Sequence, residues 1–136
     1  KNIVALGAGF CDGLGCGGNT KASIVRIGLE EMKRFCKTYF TVSTATFFES
    51  CGVADVITSC YGGRTSACAK AFVTEYDGAK GYGKSWEQIA AELYDGQELD
   101  DVKQLQAVID CLVKGGMLER FPLFSAISQI AFHSAP

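Results

Sequence analysis

The segment from Ile3 to Leu14 constrains this 136-residue chain more than any other, being almost wholly apolar and yet interrupted by Gly7, Gly9 and Gly13. Each glycine costs a helix about 1 kcal/mol relative to alanine. Ile3 and Val4 could equally open a β-strand, so the pattern by itself leaves helix and strand both open. A strand running into Gly7-x-Gly9-x-x-x-Gly13 invites comparison with a dinucleotide-binding loop. That loop requires G-x-G-x-x-G, a helix, a second strand and an acidic residue about 20 positions on. Here the third glycine comes one place late, and Asp12 would stand where a pyrophosphate must approach. The span from Gly18 to Cys36 has helical periodicity and no β-branched run for a second strand. The nucleotide loop is therefore not expected in this segment.

A chain of this length can bury one core. It is 48% hydrophobic, which points to a buried central helix and to a face that packs on something further. The formal net charge of −2, with no Lys/Arg cluster, argues against nucleic acid or an anionic membrane as partner. Seven cysteines, at 11, 16, 36, 51, 60, 68 and 111, include no Cys-x-x-Cys pair. They read as reduced thiols, mostly buried, in a reducing compartment. With His133 the only histidine, no zinc or other metal site is expected.

Helical signals follow one another along the rest of the chain. Asn19-Thr20 is placed to cap a helix to about Tyr39, with Val25, Leu29, Met32, Cys36 and Tyr39 as its apolar stripe and Arg26, Glu30 and Arg34 on a solvated face. Shorter helices are predicted near 44–50, 53–60 and 66–75. A glycine-bearing mobile loop is predicted from Tyr76 to Lys84. Ser85-x-x-Gln88 is a capping box for a helix that turns Trp86, Ile89 and Leu93 inward. Asp100 or Asp101 would cap the next, carrying Val102, Leu105, Ile109 and Leu112. Pro122 suits the first turn of the last, with Leu123, Ile127 and Ile130. Seven or so helices without a convincing strand pair make one all-α domain over residues 1–136.

Two dense blocks carry a family likeness. Lys1-Asn2 leads through the glycine-punctuated segment to Asn19-Thr20-Lys21, and Gly52-Val53-Ala54-Asp55 leads to Ser59-Cys60-Tyr61-Gly62-Gly63-Arg64. Together they resemble the C-terminal substrate domain of the NAD-dependent glycerol-3-phosphate dehydrogenases of eukaryotic cytosolic type. The resemblance implies a multihelical domain like the C-terminal domain of 6-phosphogluconate dehydrogenase, with residues 2–14 as a central helix. It also implies a separate NAD-binding domain ahead of residue 1, a homodimer and a cytoplasmic location. The implied reaction interconverts dihydroxyacetone phosphate and sn-glycerol 3-phosphate.

A first residue is ordinarily a solvated terminal side chain. In the family the matching lysine is the proton donor, a task that requires its pKa to be brought down from about 10.4. Asn2 would supply neutral hydrogen bonds. Asp55, set among apolar neighbours, calls for a cationic partner, and Lys1 is the obvious one. Ser59, one turn later, stands where the family has threonine. Arg64 follows two glycines at a helix start, a natural anion site. By resemblance it meets both the substrate phosphate and NAD. Thr65, at a phosphate-binding position, replaces the usual asparagine and offers one hydroxyl donor where the amide offers two. The segment Gly96-Gln97-Glu98-Leu99-Asp100 resembles a family loop that reaches over the cofactor, but Glu98 and Asp100 bring negative charge where a cation and an amide are usual.

The alternatives are a related two-domain dehydrogenase acting on a hydroxy acid, whose carboxylate would meet Arg64, and a helical association module without catalysis. If residues 3–13 are not a nucleotide loop, the 136-residue chain alone should not oxidise NADH with saturating dihydroxyacetone phosphate. Turnover clearly above buffer would require the opposite reading of that segment.

Overall fold

The computed structural model describes residues 1–74, 76 and 83–133, and among them the chain is helical with no strand. The predicted mobile loop at 76–84 falls largely outside the described residues. The α-helices are α1 (Asn2–Gly13), α2 (Gly18–Tyr39), α3 (Asp55–Gly62), α4 (Arg64–Thr74), α5 (Trp86–Tyr94), α6 (Asp100–Lys114) and α7 (Pro122–His133). Short 3₁₀ turns cover Thr44–Phe48 and Leu118–Arg120, and a wide π turn covers Ser50–Ala54.

The ambiguous first segment is the central helix. Ile3 through Cys11 are all buried, and α1 touches α2, α3, α4, α6 and α7. Its glycines explain how a helix can be crowded on so many sides. A Cβ on Gly9 would lie 2.3 Å from the Ser66 carbonyl oxygen and 2.6 Å from the Ala69 Cβ. One on Gly13 would lie 2.5 Å from the Lys70 carbonyl oxygen. Gly9 and Gly13 are one turn apart, so they form a flat strip that seats α1 directly on the backbone of α4. On α2, Gly28 gives way in the same manner to Val4, whose Cγ1 would be 2.4 Å from an added Cβ.

Around α1 the apolar positions close a single core. Phe72 and Trp86 stack with ring centroids 4.0 Å apart, and Phe10 meets both at 6.3 Å. The Trp86 indole N–H donates to the Ala131 carbonyl, tying α5 to α7. Glu31 is buried on α2 and accepts from the backbone N–H groups of Leu123 and Phe124, each at 2.9 Å. A carboxylate thus caps α7 from a neighbouring helix, where the helix dipole favours negative charge.

Several sequence expectations hold and several shift. The Ser85/Gln88 capping box forms in both directions, and α7 begins at Pro122. Gly17, not Asn19-Thr20, is the N-cap of α2, so that helix starts two to three residues earlier. The predicted helix at 44–50 is a 3₁₀ turn. The one at 53–60 becomes α-helical only at Asp55, because Gly52 (φ −100°, ψ −106°) is non-helical and packs on the backbone of Phe47. Leu93 is exposed, its place on the inner face of α5 taken by Ile89 and Ala90. Leu99, not an aspartate, precedes α6, and Asp101 is turned inward. Of the seven thiols, all free, only Cys11, Cys60 and Cys68 are buried, while Cys16 and Cys51 are exposed. Burial pushes the Cys11 and Cys60 thiols up to about 11.

The α1–α4 contact has a sharp test. Gly9→Ala should raise intrinsic helix propensity by about 1 kcal/mol yet destabilise the domain. The added methyl meets backbone, which cannot rotate away, and overpacking of this kind costs about 1–3 kcal/mol. Gly18→Ala, with open space around it, should be neutral or slightly stabilising. Urea denaturation of both variants checks the contrast; equal stability of the two would mean that the strip is not the tight contact.

Candidate functional site

Four helix starts meet at one end of α1. Lys1 precedes α1 and its ammonium lies 2.7 Å from the Asp55 carboxylate at the start of α3. Asn2, the first residue of α1, donates through Nδ2 to Asp101 Oδ1 and, at 3.4 Å, to Gln104 Oε1, both on α6. Thr65, at the start of α4, donates its hydroxyl hydrogen to the other oxygen of Asp101 at 2.5 Å. The first N–H groups of α1, α4 and α6 have no intrahelical partner, so their positive ends collect here, whereas the Asp55 N–H at the start of α3 is already bonded to the preceding turn. Such a place favours an anion.

The Lys1 and Asp55 side chains keep 42% and 36% of their surface exposed. The apolar residues flanking Asp55 do not bury it: helical spacing sends Val56 into the core and leaves Ile57 outside. An ion pair this open stabilises a fold by about 1 kcal/mol at most. Ser59 lies one turn further along α3, partly buried. The structure thus forms two adjacent groups, the Lys1–Asp55 pair with Ser59 one turn along α3 and the Asn2–Asp101–Thr65 hydrogen bonds, joined through the backbone between Lys1 and Asn2.

Arg64 is the neighbour of Thr65 but takes different partners. Its guanidinium donates to Gln97 Oε1 at 3.0 Å and to the Glu98 carbonyl at 3.5 Å, and lies 5.8 Å from the Tyr94 ring centroid. The 96–100 segment therefore packs on Arg64. The charges of Glu98 and Asp100 are answered locally. Lys103 lies 2.5 Å from Glu98 and 3.8 Å from Asp100, and its hydrogen bond holds the Glu98 carboxyl below the usual range.

Sequence reasoning missed Asp101. It reads there as a helix cap, since an aspartate before an apolar stripe usually is one. What distinguishes it is the partner set, Asn2 and Thr65, which lie 99 and 36 residues away. Thr65 is also clarified. Its single hydroxyl hydrogen is spent on Asp101, so a phosphate would find its backbone N–H, not its side chain.

The segment that resembled a nucleotide loop is buried helix, so no dinucleotide can lie along it. Among the described residues no helix is long and apolar enough to cross a membrane.

The family model described as NAD-dependent glycerol-3-phosphate dehydrogenase C-terminus matches residues 1–136. The mouse glycerol-3-phosphate dehydrogenase 1-like protein is 50% identical over 138 residues, which is 100% of this chain and 37% of that protein. The mouse cytoplasmic NAD(+) glycerol-3-phosphate dehydrogenase is 48% identical, covering 100% of this chain and 38% of its own length. The solved glycerol-3-phosphate dehydrogenase of the yeast Saccharomyces cerevisiae superposes with a TM-score of 0.89 at 39% identity, over 99% of this chain and 37% of that one. The chain spans well under half the length of these relatives. By the full-length match of its sequence and the agreement of its helices with the yeast structure, the chain belongs to the family of NAD-dependent glycerol-3-phosphate dehydrogenase C-terminal domains.

Proposed function

We propose that this chain is the helical substrate domain of a two-domain oxidoreductase that interconverts dihydroxyacetone phosphate and sn-glycerol 3-phosphate. The observation that carries the reading is the Lys1–Asp55 pair at 2.7 Å, half open to solvent, among four converging helix starts. A pair worth so little to stability is well suited to chemistry, because its ammonium can reach a ligand without breaking a core contact.

When bound, NAD supplies the hydride chemistry at C2. By the family likeness Arg64, with the 96–100 segment on its guanidinium, is the residue of this chain that meets the cofactor. In the reducing direction Lys1 Nζ gives a proton to the developing alkoxide, and the Asp55 carboxylate keeps the ammonium aimed. Asn2 and Ser59 orient the reacting end. Arg64 and the first N–H groups of α4 hold the phosphate, so remote binding energy is spent on orientation. The net charge of −2, with no Lys/Arg cluster, disfavours nucleic acid as a partner. A cytoplasmic location is supported by the name of the mouse relative. The homodimer is carried over from the family likeness.

The first test uses the two-domain protein with Lys1→Ala. Loss of a positioned general acid should lower kcat by about 10²–10⁴-fold while KM moves less. A change confined to KM would make Lys1 a binding residue instead. The second uses Arg64→Lys, which keeps the charge and loses the two-pronged guanidinium. It should damage turnover of dihydroxyacetone phosphate far more than that of unphosphorylated dihydroxyacetone, with NADH affinity measured separately. Equal losses for both substrates and unchanged NADH binding would remove the phosphate assignment.

A further inference from the structure

Asp101 is 7% exposed, and no cation pairs with it among the described residues. A carboxylate taken out of water without a counter-charge is costly, so its partners must be good hydrogen-bond donors. It has two neutral ones, the Asn2 amide on one oxygen and the Thr65 hydroxyl on the other, at the start of the α6 dipole. The nearby guanidinium of Arg64 is turned to Gln97 and Glu98 instead, which leaves it available to an anion.

The consequence lies in what a carboxylate can accept. It offers no hydrogen, so the end of the Asn2 amide that faces it must be the NH₂. Both Asn2 donors are directed at α6, to Asp101 and, weakly, to Gln104. Oδ1 is thereby left as the amide's free group, one residue from Lys1. Thr65 buttresses the same carboxylate from the side of α4, so α1, α4 and α6 are tied at one point.

We propose that Asp101 is a positioning residue that fixes Asn2 as a hydrogen-bond acceptor in the reaction site, suited to a hydroxyl hydrogen of the substrate. This rests on the reading of Lys1 and Asn2 as the reacting end. Without Asp101 the amide can rotate and present its NH₂, which a substrate hydroxyl meets less specifically. Asp101 thus selects a hydroxyl-bearing neighbour of the reacting carbon, such as C1 of dihydroxyacetone phosphate.

The test is a double-mutant cycle in the two-domain protein, reading kcat/KM for dihydroxyacetone phosphate. Asp101→Leu keeps the volume and removes both acceptors. It is made alone and together with Thr65→Val, which leaves no orphan hydroxyl and guards against a failure to fold. Either form should lose about 10–100-fold, the scale of misplacing a reactive group by roughly 1 Å. In an Asn2→Ala background the same substitution should cost less than about 3-fold, because the group it positions is gone. A merely structural or long-range charge role would cost the same in both backgrounds and would overturn the inference. So would Asp101 variants within 2-fold of the unsubstituted protein. If the unsubstituted protein itself does not turn over dihydroxyacetone phosphate, the functional reading falls and this inference with it.

Discussion

The contact of α1 with the backbone of α4 sets the geometry on which everything else rests. Any side chain larger than hydrogen at Gly9 or Gly13 would push the two helices apart. With them seated together, the first residue of α1 and the second of α4 come within reach of one carboxylate on α6. The site is thus a consequence of core packing. Helix starts carry most of the functional groups and the core holds the helices, with the 96–100 segment bracing Arg64. That suits a reaction in which atoms must be held to a fraction of an ångström.

The two carboxylates of the site differ in kind. Asp55 is half open and faces a cation, while Asp101 is buried and faces two neutral donors. The first can respond to a ligand; the second cannot move without leaving donors unsatisfied in the interior. The cost of an unmade buried hydrogen bond, about 1–3 kcal/mol each, makes Asp101 a rigid reference. Glu31 does the same from α2, where its two oxygens hold the start of α7. In both places a carboxylate reaches across to another helix and fixes where its neighbour begins.

How far the sequence could be read depended on whether a residue's partners are local. Ser85 and Gln88 are three apart and cap their own helix, so they could be read directly. Pro122 announces a helix start by the chemistry of its own ring. The central helix could not be told from a strand by pattern. Its glycines are explained by α4, which lies more than 50 residues further along the chain. Asp101 was missed for the same reason: it reads as a helix cap until distant helices are brought against it. Lys1 and Asn2 were legible only through the family motif, and residue chemistry took Asp55 and Arg64 no further than a need for a cation and an anion site, since nothing in their spacing reveals that four helices begin together.

The departures from the family pattern are also locally compensated. Thr65 has one hydrogen where the usual asparagine has two, and that hydrogen goes to Asp101, an acceptor that needs it. Glu98 and Asp100 bring negative charge to the segment that packs on Arg64, and Lys103 on the next turn answers both. Had these acids turned to Arg64, they would have neutralised the one guanidinium at the start of α4. Instead Gln97 and a backbone carbonyl, both uncharged, hold that side chain. A neutral acceptor orients a guanidinium without cancelling its charge, so Arg64 remains aimed by the 96–100 segment and still attractive to an anion. The substitutions around the site therefore alter which groups brace it more than which groups a phosphate would meet.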